Sequence, residues 1–286
     1  MYNKKYVGIM AAVLGLGLML ALTMFWGCSD DGTNSTIVRG DLNDPEFMAI
    51  RPSLDDVIES AVEGTFDPLT NRWDFPLDSS TWRNKDDYWL GPLNPDDSVE
   101  YEYEGGWHVI YLAHLSASGS EVFYDSMAFF VNDAPWMMFT VEVSNVKYRG
   151  SYQLTENDGE TVIEDVITTR VDLADVNTDV ATGTGTMNIV SNSVYSQGQS
   201  DMDETFDFDI ILGPMTFMRP TLNNWDSYET ANGELDIMLT YTVETTTAGE
   251  TETVNQDWTI QVTVDDNIGQ VEVTRDNTLW TYNLNL

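Results

Sequence analysis

Sulfur and positive charge are both scarce in this chain. Of 286 residues one is Cys, two are His and 12 are Lys or Arg, against 48 Asp and Glu, for a formal net charge of −36. A single Cys excludes an intrachain disulfide framework and any thiolate-rich metal cluster. The shortage of cations excludes nucleic-acid binding through phosphate contacts, because a polyanion is repelled by the backbone it would have to neutralise. Polybasic attachment to an anionic lipid surface is excluded for the same reason. Other common nucleophile and nucleotide motifs are missing too: there is no Gly-x-Ser-x-Gly, no Walker loop and no Gly-x-Gly-x-x-Gly. Gly183-Thr-Gly185-Thr reads as a strand start or a bulge. No His-x-x-x-His exists, and the two histidines, His108 and His114, share one strand face at about 20 Å, too far to ligate one metal. Both read as structural or solvent-facing.

What is present argues for a folded domain. Apolar residues make up 42% and aromatics 12%, enough for a substantial core in spite of the charge. Mutual repulsion keeps so acidic a domain dispersed, and with only four Lys the composition also suits a saline habitat.

The N-terminus carries an address. Lys4 and Lys5 precede an apolar run from Val7 to Trp26 whose only polar side chain is Thr23, and Gly27-Cys28 follows. A basic region, an apolar stretch and a small residue at the cut describe a secretory signal. With Gly27 directly before the chain's only Cys, this segment resembles the signal peptides of bacterial lipoproteins, which end in a lipobox of roughly Leu-(Ala/Ser)-(Gly/Ala)-Cys. Phe25 and Trp26 depart from that pattern, and an uncleaved signal anchor is the alternative, because about 20 apolar residues suffice to span a bilayer. The resemblance implies a lipid on Cys28, a membrane anchor, and a location in the cell envelope. Ser29 after the Cys resembles the variant sorted to the outer membrane of Gram-negative bacteria. Either reading places the residues beyond Cys28 on the far side of the inner membrane.

Three parts follow: a signal over 1–27, the lipidated Cys with a polar tether over 28–43, and one β-rich domain over 44–286. The tether would reach about 50 Å if extended. Ser53 and Asp56 with Leu54, Val57, Ile58 and Ala61 predict a short helix over about 53–62, with Pro52 just before its cap. An aromatic loop over 66–97 has no clean period. From Ser98 onward the alternation of Val99, Tyr101 and Tyr103 with Glu100, Glu102 and Glu104 begins a series of half-buried strands. Gly105-Gly106 turns the first hairpin, and Trp107, Val109, Tyr111 and Ala113 continue it. Further strands are expected near 121–131, 137–143, 146–154, 161–173, 184–194, 204–212, 234–244, 253–264, 270–275 and 279–286, with a longer loop over 213–233.

About twelve strands joined by short turns make an antiparallel meander, since parallel pairs need long crossovers. The expected fold is all-β, closed as a β-barrel or packed as a sandwich, with one short N-terminal helix. A transmembrane barrel is disfavoured because Glu164, Asp165, Arg170 and Asp172 put charge on both faces of one strand.

Two constellations carry candidate chemistry. Asp201, Asp203, Glu204, Asp207 and Asp209 form the densest acid cluster, which could hold Ca²⁺, although no EF-hand loop is present. The same residues also read as a solvated acidic face. Trp73, Trp82, Tyr88 and Trp89 of the aromatic loop offer flat faces for a ligand to stack on, or equally a plug for one end of the barrel. Met residues such as Met127, Met187 and Met215 fill core, or line an adaptable cavity. Two carboxylates at about 5–9 Å would serve a glycosidase, but 48 acids supply such pairs by chance. The leading expectation is a membrane-anchored, non-catalytic domain that binds a small apolar or aromatic ligand. A structural or adhesion role with a cation-bridged acidic surface is second, and a carboxylate-based hydrolase third.

Overall fold

The computed structural model describes residues 37–69, 98–197, 200–220, 225 and 227–286. Cys28 and the aromatic residues Trp73, Trp82, Tyr88 and Trp89 lie outside them. The chain forms one 13-stranded sheet. After β1 (Val38–Arg39) and helix α1 (Pro45–Phe66) the strands are β2 (Ser98–Glu104), β3 (Trp107–Ser116), β4 (Gly119–Val131), β5 (Ala134–Trp136), β6 (Asn145–Asn157) and β7 (Thr161–Ala174). They continue with β8 (Val180–Gln197), β9 (Ser200–Met218), β10 (Thr230–Thr247), β11 (Glu250–Asp265), β12 (Ile268–Arg275) and β13 (Thr278–Asn285). Neighbours in sequence are neighbours in space from β13 back to β6, then β4, β3 and β2, all antiparallel, with β1 added parallel to β13. The all-β antiparallel meander is therefore the architecture. Its ladder is open: β2 ends one side and β1 the other, and among the described residues no hydrogen bonds join the two.

The helix packs on one face of the sheet. Phe47, Ile50, Leu54, Val57, Ile58, Ala61 and Val62, spaced by three and four, are buried as one stripe. At its start Phe47 stacks on Trp280 of β13, ring centroids 5.5 Å apart and planes 8° apart. Near its end Gly64 lies so close to Met187 of β8 that a Cβ there would be 2.9 Å from Cε. Trp280 and Met187 belong to one row across the sheet, running Trp280, Val273, Ile260, Ile237, Ile210, Met187. Five strand spacings of about 4.8 Å make about 24 Å. Helical rise from Phe47 to Gly64 is about 26 Å. The match means that α1 crosses the strands along the hydrogen-bonding direction and covers this row from above. Phe66 then packs on Phe217 and Tyr228, with centroids 5.5 and 4.8 Å away.

Several expectations need correction. The helix starts at Pro45 rather than Ser53, capped by Asp44, whose carboxylate accepts from the Glu46 amide at 2.9 Å. Pro52 lies inside it; burial of Phe47 and Ile50 against the sheet outweighs a penalty of about 3 kcal/mol for an interior Pro. Of the expected tether, Val38 and Arg39 pair with β13. Residues 137–143 form no strand. A turn with positive φ at Asn132 and Asp133 leads into β5, where Pro135 lacks a ladder donor, and the chain then bends back through Thr140 to β6. The loop expected over 213–233 is shorter, because β9 runs on to Met218. Against both neighbours β9 carries one extra residue near Gly213-Pro214, a β-bulge opposite Gly183–Gly185 on one side and Asn232–Leu235 on the other. Pro214 is tolerated there because a bulge needs no ladder donor.

Candidate ligand-binding face

Long strands outrun the helix. β8, β9 and β10 have 18, 19 and 18 residues, and α1 packs only over the part that carries Gly183, Met187, Ile210 and Phe217. Toward the β8–β9 turn the inward positions change character. On β7 the inward series is Ile163, Asp165, Ile167; on β8 it is Ile189, Ser191, Ser193, Tyr195; on β9 it is Phe208, Phe206, Glu204, Met202. Register sets Asp165 opposite Ser191, Ser191 opposite Phe206, Ser193 opposite Glu204, and Phe206 opposite Tyr241 of β10. A polar patch thus sits in the inner face with aromatic rings around it. Phe206 lies 4.6 Å from Tyr241 and 6.1 Å from Phe208, ring centre to ring centre. Phe123 of β4 lies 4.6 Å from Tyr152 of β6 on the far side.

These polar groups are deeply buried and only half satisfied. Glu204 is 1% exposed; the Tyr241 hydroxyl donates to one of its oxygens, and the other, Oε2, has no partner. Asp165 is 6% exposed; Ser191 serves it, while its Oδ1 has no partner. Ser193 Oγ and the Tyr195 hydroxyl are also unpartnered. Burial raises the carboxyls of Glu204 and Asp165 above the usual range, opposed by the Tyr241 and Ser191 hydrogen bonds respectively, and Glu156 adds to the rise at Asp165. The Tyr195 phenol is pushed up to about 12 by burial and then by Glu204. Tyr241 rises for the same two reasons. Around the patch Tyr152 donates to Glu121 at 3.2 Å, and Tyr148 donates to Asp125 at 2.9 Å.

The acid cluster expected on β9 is split by the strand. Glu204 points inward, in phase with Phe206 and Phe208, whereas Asp201, Asp203, Asp207 and Asp209 lie on the outer face. There Asn188 donates its amide to Asp207 and to Asp209, at 3.0 Å each, which relieves their repulsion without a cation. Ser196 donates to Asp201 at 2.7 Å. Among the described residues no three His, Cys, Asp or Glu side chains are grouped to hold a metal ion. His108 is buried in a cage of Tyr101, Tyr103 and Phe129, its Nδ1 2.9 Å from the Tyr101 hydroxyl, and burial lowers its pKa. His114 faces Glu121 across β3 and β4.

Sequence reasoning singled out Glu204 as a metal ligand and passed over Asp165, Ser191, Ser193, Tyr195 and Tyr241. A signal for them existed. Glu204 alternates in phase with Met202 and Phe206, and Asp165 with Ile163 and Ile167. An acid at an inward phase is costly to bury and marks a position held for another reason. No protein-family model, no curated protein and no solved structure matches the chain.

Proposed function

We propose that this chain is a lipid-anchored, non-catalytic binding protein of the cell envelope, and that the half of the inner face beyond α1 takes one small ligand with an apolar or aromatic body. One observation carries the binding reading: Glu204 Oε2, Asp165 Oδ1, Ser193 Oγ and the Tyr195 hydroxyl are buried without partners among aromatic rings. Buried polar groups nearly always have partners, so four orphans on one face suit a ligand that brings its own donors and acceptors. The anchor reading is supported by the lipobox-like Gly27-Cys28. The test is a native mass spectrum of the full-length chain purified in mild detergent. A small mass that denaturation releases supports the reading. A bare chain that also fails to respond, by intrinsic fluorescence, to apolar and aromatic probes overturns it.

A carboxylate-based hydrolase is the second reading, favoured by two buried carboxyls with raised affinity for protons. It requires turnover of a model glycoside that disappears in Glu204→Gln while the fold remains.

A further inference from the structure

We infer that the inner-face pair Asp165 and Glu204 selects a cationic ligand, an organic ammonium ion carried on an apolar or aromatic body; this rests on the binding face proposed above and names the chemistry it recognises.

The argument begins with a missing counter-charge. Among the described residues every group that bears on the two carboxyls is neutral or acidic. Burial and hydroxyl hydrogen bonds act on both, Glu156 of β6 acts on Asp165, and Tyr195 of β8 and Tyr241 of β10 lie beside Glu204. Tyr152 of β6 feels Glu121, Asp165 and Glu156 together, so the patch is acidic from β4 to β9. The described cations are engaged elsewhere. Arg149 pairs with Asp172 at 3.0 Å on the outer face, and Arg170 stands opposite Arg149 in the same register. Arg51 reaches Asp55 at 3.6 Å, Arg275 reaches Glu46 at 2.9 Å, and Arg219 reaches Asp179 at 3.4 Å. Lys147 sits over the Phe130 ring at 5.4 Å, and Arg39 lies on the edge strand β1. His114 faces the outer end of the patch through Glu121 rather than through either carboxyl of the pair.

Geometry then limits the guest. Asp165 and Glu204 stand two strands apart and two residues offset, so their Cα atoms are about 12 Å apart on the inner face. A bare metal ion is the poorer guest, because Ca²⁺ takes about six to eight oxygen ligands and among the described residues no three His, Cys, Asp or Glu side chains are grouped to hold one. An ammonium group has donors for Glu204 Oε2, Ser193 Oγ and the Tyr195 oxygen at once, which are the orphans clustered on β8 and β9. The rings of Phe206, Tyr241 and Tyr195 offer faces to a cation and to the body that carries it. Burial raises both carboxyls when the face is empty and a bound cation lowers them, so within their titration range binding releases protons to solvent.

The experiment uses the full-length chain in mild detergent and isothermal titration with a matched series: phenethylamine, tryptamine and hexylamine as cations, 2-phenylethanol as the neutral analogue, 3-phenylpropionate as the anion, and CaCl₂. Saturable binding of at least one amine is expected, at least tenfold tighter than the alcohol, with no binding of the anion. Heats at pH 5 should depend on the ionisation enthalpy of the buffer. Glu204→Gln should weaken the amine at least tenfold and so abolish its preference over the alcohol, and Tyr195→Phe gives a milder loss should the first variant not fold. Equal binding of amine and alcohol overturns the cationic selectivity and leaves the binding face standing. No binding by any organic probe overturns both. Heat from CaCl₂ that competes with the amines replaces the ammonium by a metal and overturns the inference.

Discussion

The Tyr282 hydroxyl donates a hydrogen bond of 2.6 Å to Asp55, tying β13 to α1 across 227 residues of sequence. Arg51 completes the group, its Nε 3.6 Å from Asp55 and its guanidinium 4.6 Å above the Tyr282 ring. Burial raises the Asp55 carboxyl, and the Tyr282 and Arg51 contacts oppose that rise. Tyr282→Phe should therefore cost about 1–3 kcal/mol, the usual range for a buried hydrogen bond to a charged group. Urea unfolding of the single variants and of Tyr282→Phe with Asp55→Asn gives the coupling energy. A coupling of zero would show that the contact holds nothing.

Gly185 and Gly105 should respond very differently to Ala. A Cβ on Gly185 would lie 2.0 Å from the Arg170 carbonyl oxygen, so β7 and β8 could not pair as they do. Gly185→Ala should abolish folding, read as loss of soluble yield and of cooperative melting. Gly105 meets nothing within 4 Å but has φ +60, and its replacement should cost only about 1–2 kcal/mol. Similar costs at both sites would contradict the close approach of the two strands.

Asp125 sets a pH dependence whose sign can be worked out. Burial pushes its carboxyl up to about 6 from 3.8, against the Tyr148 hydrogen bond and with help from Asp67. The folded chain then holds this proton to higher pH than the unfolded chain does. Its stabilising share is complete below the unfolded value and is lost as pH rises through about 6, a change of about 3 kcal/mol. Asp125→Asn should flatten the stability profile between pH 4 and 6.5. Identical slopes for the variant and the parent in urea titrations would rule this out.

On the proposed lipidation of Cys28, Cys28→Ala should remove the anchor. Cells fed a radiolabelled fatty acid are expected to label the parent chain and not the variant, which should leave the membrane fraction if the signal is still cut. Label that persists in the variant would mean that the lipid, if any, sits elsewhere.

Much of this fold was legible, and the reasons it was not fully so are local. Leu235, Ile237, Leu239, Tyr241 and Val243, like Trp258, Ile260, Val262 and Val264, alternate with polar residues and all face the core. β8 and β9 outrun the expected 184–194 and 204–212: Gly213-Pro214 reads as a break, and beyond Ser193 and Glu204, polar at inward positions, Tyr195 and Met202 no longer stand out as a continuing face. Pro52 and Pro214 read as breaks; packing of Phe47 and Ile50 overrode the first, and a bulge absorbed the second. The candidate site was half visible. Composition drew attention to the acids of β9, but only their phase separates Glu204, which faces inward, from Asp207 and Asp209, which face out.

The order of the strands has a kinetic consequence. From β7 to β13 each strand pairs with the one made just before it, so the sheet can grow hairpin by hairpin with short loops to close. The helix is the exception. Its sequence comes before the sheet, yet Phe47 needs Trp280 and Phe66 needs Phe217, so its docking waits on the last strand. Until then the row from Ile210 to Val273 faces water, and the nascent sheet exposes its stickiest surface to other copies. A net charge of −36 works on that interval: repulsion between half-assembled chains acts from the first residues made, well before any contact of the finished fold exists.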